Sequence, residues 1–285
     1  MAKREKKNMD EMTFMDHLEV LRWILVRCTV GVLIGATVVF FVSDFIFDHI
    51  VFAPLNANFF TYTYFCELAH DWNLSDICIT ADDFNFIIQN TEMEGQVNIL
   101  VWMCVAGGFI LAFPYILWEI WRFISPALYE KERKGALTFI FISSILFFLG
   151  VLFGYYLIIP MSVNFVATFK VSAVVQNQFN IDSYMGMVKT SLIASGLFFE
   201  LPIIIYFLAK LGLVTASFLR KYRRWAIVGV LVVAAIVTPP DVVSQVIVSI
   251  PMLLIYEASI WIAAIVGNKK TKAELAAENQ AKVNE

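Results

Sequence analysis

Several carboxylates in this chain stand where their residue types invite chemistry. Glu130 and Glu132 lie in Trp118–Lys134, which reads WEIWRFISPALYEKERK, among basic residues where an anchoring loop needs only Lys and Arg. They are either simply solvated or placed to receive a cation. Glu200, in SGLFFELPII, falls 11 residues into an apolar run of 22. A charge at such a depth costs roughly 2.5–3.5 kcal/mol, so it marks either a functional contact or a neutral carboxyl bonded to nearby backbone. Glu19 and Arg22, in TFMDHLEVLRWIL, are three apart, a spacing at which a helical ion pair contributes about 0.2–0.5 kcal/mol. Enzyme chemistry finds little to work with. All three histidines (His17, His49, His70) precede the second apolar run, and neither H-E-x-x-H nor a nucleotide-binding Gly-rich loop occurs. We therefore expect no catalytic residue, no metal site and no cofactor.

The elements that must position these groups are membrane helices. Of the 285 residues 60% are hydrophobic and 16% charged, and mean hydropathy is +0.74. That is too apolar for a water-soluble surface, and a net charge of −3 excludes a nucleic-acid partner. About 20 apolar residues span a hydrocarbon core of about 30 Å. Trp23–Ser43, Val97–Trp118, Leu137–Ile159, Thr190–Leu211 and Val246–Gly267 reach that length, while Trp225–Thr238 has only 14 residues. The runs are continuous rather than alternating, which excludes a β-barrel. The reading is an all-α integral membrane protein with six transmembrane helices, the fifth short.

Charge sets the orientation. Eighteen of the 21 Lys and Arg fall before the first helix, between helices two and three, between four and five, or in the tail. The positive-inside rule puts those segments and both termini in the cytoplasm. The apolar stretch of the first helix is too long for a secretory signal and lacks a cleavage site, so it is expected to be retained. The expected organisation is a cytoplasmic amphipathic segment (1–22), a six-helix domain (23–267) with an enlarged outer loop (44–96), and a cytoplasmic tail (268–285). The outer loop carries nine acidic residues and no Lys or Arg, as a solvated cap would. Cys66 and Cys78 both lie there, on the oxidising side of a bacterial inner membrane. A disulfide between them is expected, stabilising by about 3 kcal/mol in the chain-entropy model. Cys28 and Cys104 read as apolar packing residues.

Local breakers shape the rest. Pro126 should end a helix after Ser125, and Pro202 should kink the helix beside Glu200. The two prolines in TPPDVVSQ (Thr238–Gln245) stop helix five, and Asp241 and Ser244 suit the start of helix six. Glu257, in the inner half of helix six, reads as a snorkelling group at the interface.

Taken in order, HLEVLR (His17–Arg22), WRFISPALYEKERK (Trp121–Lys134), FELP (Phe199–Pro202), TPPDVVSQ and IPMLLIYE (Ile250–Glu257) closely resemble the TatC family of twin-arginine translocase subunits. The resemblance covers roughly Met12 to Gly267. It implies a concave, glove-like bundle with short helices five and six. The implied function is a receptor in the bacterial inner membrane that binds twin-arginine signal peptides of folded cargo at the cytoplasmic face. It would form an oligomer in membrane lipid with TatA- and TatB-type single-span partners, and transport would be driven by the proton-motive force. Residue by residue, Glu132 matches the loop glutamate that receives the signal arginines, with Trp121, Phe123 and Pro126 around it. Arg22 matches the N-terminal arginine, Pro54 the outer-loop proline, and Glu200 the intramembrane glutamate. Gln245 and Asp241 fall in the region that receives partner helices. One departure stands out. The family commonly carries two adjacent glutamates near its start, and here the pair reads Glu19–Val20. Either Glu130 supplies the missing charge or binding uses one carboxylate fewer.

A small-solute carrier is the alternative from another class, but no internal repeat and no second midplane charge support it. An intramembrane protease lacks a histidine in its later helices.

Overall fold

A chain crossing hydrocarbon must satisfy its backbone hydrogen bonds internally, so the apolar runs become helices. The computed structural model describes residues 14–71, 87–125, 136–169, 172, 177–239 and 241–283. The helices are α1 (Phe14–Phe41), α2 (Ser43–Ile46), α3 (Phe60–Asp71), α4 (Gly95–Ile124), α5 (Ala136–Phe153), α6 (Ile159–Thr168), α7 (Ile181–Phe199), α8 (Leu201–Lys210), α9 (Ala216–Lys221), α10 (Arg223–Val237) and α11 (Val242–Val283). Two short strands, β1 (Ile87–Gln89) and β2 (Gln178–Asn180), complete the set.

Among the described residues five spans are long and apolar enough to cross a membrane: Leu18–Phe41, Gly95–Ile124, Leu137–Thr168, Ile181–Lys210 and Val242–Asn268. The fifth apolar run of the sequence is the 15-residue α10, about 22 Å at 1.5 Å per residue. Two ends differ most from the sequence reading, by nine residues each. The third span does not stop before Pro160. A π-helical turn, Gly154–Ile158, widens the backbone there, and α6 resumes with Pro160 in its first turn, where no donor is needed. The fourth span starts nine residues before Thr190, because Asn180 caps α7 by accepting from the Asp182 N–H at 3.0 Å.

The chain divides into two compact units. In the first, residues 1–50 and 90–145, α1 and α4 lie so close that side chains cannot fit between them. A Cβ on Gly35 would sit 2.7 Å from the Gly108 carbonyl oxygen, and one on Gly108 would meet the Ala36 and Val32 backbone. Small residues at such crossings let membrane helices gain packing contacts that lipid cannot offer.

The second unit, residues 51–89 and 146–285, is tied at its outer end by hydroxyls. The Tyr62 O–H donates to the carbonyls of Pro54 (2.8 Å) and Pro160 (3.3 Å), and Thr61 to that of Tyr156 (2.7 Å). Tyr184 donates to the Val51 carbonyl. Burial pushes the Tyr62 phenol above its ordinary range. Strand β1 pairs in parallel with β2, Ile87 opposite Gln178. Val230, Ala234, Val237, Val248 and Met252 pack α10 on α11. A second cluster joins Ile205, Ala209, Leu219, Tyr256, Ile260 and Ala263.

Candidate functional site

The residues singled out in the sequence fall into both units. In the first, the start of α1 and the end of α4 carry four of them at one end of the helix pair. Glu19 and Arg22 are exposed on α1, and the Arg22 guanidinium lies 5.8 Å from the Trp23 ring centre. Trp121 is buried on the last turns of α4 against Phe139, with ring centres 4.8 Å apart, and Phe123 is half-buried. Helix α4 ends at Ile124, although Ser125, the residue before Pro126, still holds helical backbone angles. Pro126, Glu130 and Glu132 lie outside the described residues.

The same end of this unit holds a group that sequence reasoning passed over. Glu119 is only 3% exposed. It accepts from the Arg27 guanidinium at 3.4 Å and the Tyr115 O–H at 3.3 Å, with Arg122 at 3.9 Å. Tyr115, Glu119 and Arg122 follow helical i, i+4 and i+3 spacing, a signal that was legible. Nothing local announced Arg27, which comes from 92 residues away.

In the second unit, Glu200 sits at the break between α7 and α8. Its side chain is buried, 6% exposed. Pro202 lies in the first turn of α8, so the expected kink occurs beside the carboxyl. Lys210 ends the span ten residues later, about 15 Å along the axis, or half a hydrocarbon core.

Helix α11 opens on Asp241, which accepts from the N–H groups of Ser244 (2.7 Å) and Val243 (3.3 Å). Partial burial raises the Asp241 carboxyl pKa, but these hydrogen bonds outweigh it and hold the group below its ordinary 3.8. Gln245 donates to the Leu231 carbonyl at 3.0 Å, tying α10 to α11. Glu257 is more than a snorkelling group. The Arg223 guanidinium grips it with both ends, Nε at 2.7 Å and Nη2 at 2.8 Å, the fork geometry that only arginine provides. Pro54 is buried and gives its carbonyl to Tyr62. Cys66 is disulfide-bonded, whereas Cys28 and Cys104 are free. Cys78, its expected partner, lies outside the described residues. Among those residues no group of His, Cys, Asp and Glu could hold a metal ion.

The family model for the Sec-independent protein translocase protein TatC matches residues 16–251. The TatC of Blattabacterium sp. subsp. Periplaneta americana is 39% identical over 265 residues, covering 93% of this chain and all of the relative. The TatC of Aquifex aeolicus is 31% identical over 266 residues, again 93% of this chain and all of the relative. A solved crystal structure of the twin-arginine translocase receptor TatC superposes with a TM-score of 0.68 at 30% identity, over 88% of this chain and 99% of that one.

Proposed function

The chain belongs to the TatC family of Sec-independent protein translocase proteins, and from that premise we propose the division of labour among its residues. It is a multi-pass inner-membrane receptor subunit of the twin-arginine translocase, a non-enzymatic component that works with other Tat components. It binds twin-arginine signals of folded proteins at the cytoplasmic face.

Glu132 is the main acceptor of the signal arginines, with Glu130 or Glu19 providing a second carboxylate where Val20 carries none. The observation that carries this reading is the placement of Glu19, Arg22, Trp121 and Phe123 at the same end of one unit, flanking the segment that bears both loop glutamates. A guanidinium fork pairs with a carboxylate through two parallel hydrogen bonds, and lysine cannot reproduce this. Contacts of about 1.5–3 kcal/mol each are enough to reject an Arg-to-Lys signal.

The apolar part of the signal then enters beside Glu200. This buried carboxyl senses insertion through a polar contact. The TatA- and TatB-type helices dock near Asp241 and Gln245, at the short fifth helix, where local mismatch thins the bilayer. Transport draws on the proton-motive force. Pro54 holds the outer loop, and Cys66 pairs with Cys78.

Export of a twin-arginine cargo in cells tests these roles. Glu132→Ala abolishes export, Glu200→Gln keeps it, and Glu200→Leu loses it. Normal export by Glu132→Ala would remove Glu132 from the role of acceptor.

A further inference from the structure

Among the described residues at the Arg27 end of the α1–α4 pair, two guanidiniums share one buried carboxylate. Arg27 and Arg122 approach the two oxygens of a single carboxylate, Glu119, at 3.4 and 3.9 Å. The carboxylate is buried, yet the arginine side chains are 41% and 62% exposed. One negative charge therefore faces two guanidiniums, both with donors to spare.

The surroundings of this charge are apolar. Arg27 stands in an exposed stripe of α1 with Trp23, Val26, Val30 and Ile34, all on one helix face. Arg122 tops a matching stripe of α4 made by Leu111, Tyr115 and Trp118. Both stripes belong to membrane-spanning helices, so acyl chains cover them. An anion that reaches Arg27 must bring its own apolar tail.

We propose that Arg27 and Arg122 form a binding site for the headgroup of an anionic phospholipid of the inner leaflet, with its acyl chains along the two stripes. The phosphate takes the donors that Glu119 leaves free, and Trp23 and Trp118 flank it at the depth where indole rings prefer to sit. Neutralising this patch also lowers the repulsion that an approaching basic signal peptide would meet.

The test uses the full-length protein in detergent, incubated with phosphatidylglycerol, phosphatidylcholine or inorganic phosphate alone, and native mass spectrometry of what remains bound. Wild type retains phosphatidylglycerol over phosphatidylcholine and holds no phosphate ion. Arg122→Gln, which leaves the Arg27–Glu119 contact intact, weakens phosphatidylglycerol binding about fivefold, and Arg122→Lys restores most of it. The Arg27→Gln/Arg122→Gln variant loses about thirtyfold, provided its thermal unfolding matches wild type. Equal retention of both lipids would reduce the site to its apolar stripes and overturn the proposal. Retention of inorganic phosphate alone would assign the arginines to a free anion instead. Unchanged binding by Arg122→Gln would overturn it outright.

Discussion

The Arg27–Glu119 pair should respond asymmetrically to losing one partner or the other. At an effective dielectric near 20, unit charges 3.4 Å apart attract by about 5 kcal/mol, but solvent around the half-exposed arginine screens most of this. Removing the carboxylate with Glu119→Leu leaves a guanidinium that is 41% exposed and can extend toward the interface, at a cost of about 1 kcal/mol. Removing the arginine with Arg27→Leu leaves a carboxylate 3% exposed, with Tyr115 at 3.3 Å and Arg122 at 3.9 Å as its remaining neighbours. A buried charge left with only this longer ion pair costs about 3 kcal/mol. The double substitution should fall close to Glu119→Leu alone, a coupling of about 3 kcal/mol. Equilibrium denaturation of the four proteins in detergent measures all three values. If Glu119→Leu proved the more damaging single change, or if the two effects simply added, the carboxylate would not be the buried member of a working pair.

Other expectations follow from single contacts. Gly35→Leu should unfold at a visibly lower temperature, losing about 2 kcal/mol or more, because its Cβ would meet the Gly108 carbonyl oxygen at 2.7 Å. Gly229→Ala, with nothing within 4 Å of the new methyl, should melt like wild type. Tyr62→Phe should cost about 1–2 kcal/mol by stranding two carbonyls. Since burial raises the Tyr62 pKa above its ordinary 10.0, the folded state favours the protonated phenol. Its contribution is therefore complete below pH 10.0 and fades as pH rises toward the folded value, an alkaline loss that Tyr62→Phe should lack. Asp241→Ala should cost about 1 kcal/mol of helix capping. The lowered Asp241 pKa makes that contribution present at neutral pH and lost as pH falls through the folded value, below 3.8. Acid and alkaline denaturation curves of the two variants against wild type check both signs.

The membrane class and the short fifth helix were legible because hydropathy is a property of contiguous residues. Family membership was legible because its motifs are short and ordered along the chain. Helix ends were harder to place. Pro160 reads as a stop, but a π-helical turn before it lets the helix continue. Asp182 and Lys189 made the start of the fourth span look polar, although Asn180 caps a helix that already runs through both. What escaped altogether was long-range pairing. Arg27 meets Glu119 from 92 residues away, and Arg223 meets Glu257 across 34. β1 finds β2 from 91 residues away, Ile87 opposite Gln178. No local pattern encodes such partners, since each helix face offers many polar positions and packing alone selects one. Glu19 and Arg22 on α1 lie at the same end of the helix pair as Trp121 and Phe123 on α4, a proximity that no local pattern announces.

Signal reception at this inner end is tested most directly by a photo-reactive side chain at Phe123, in membranes supplied with the partner subunits and a cargo bearing a twin-arginine signal. Crosslinks to the signal that disappear when its two arginines become lysines are expected. Their further loss on Glu132→Ala would identify the acceptor. Absence of any crosslink, or equal crosslinking of the twin-lysine signal, would contradict recognition at this site.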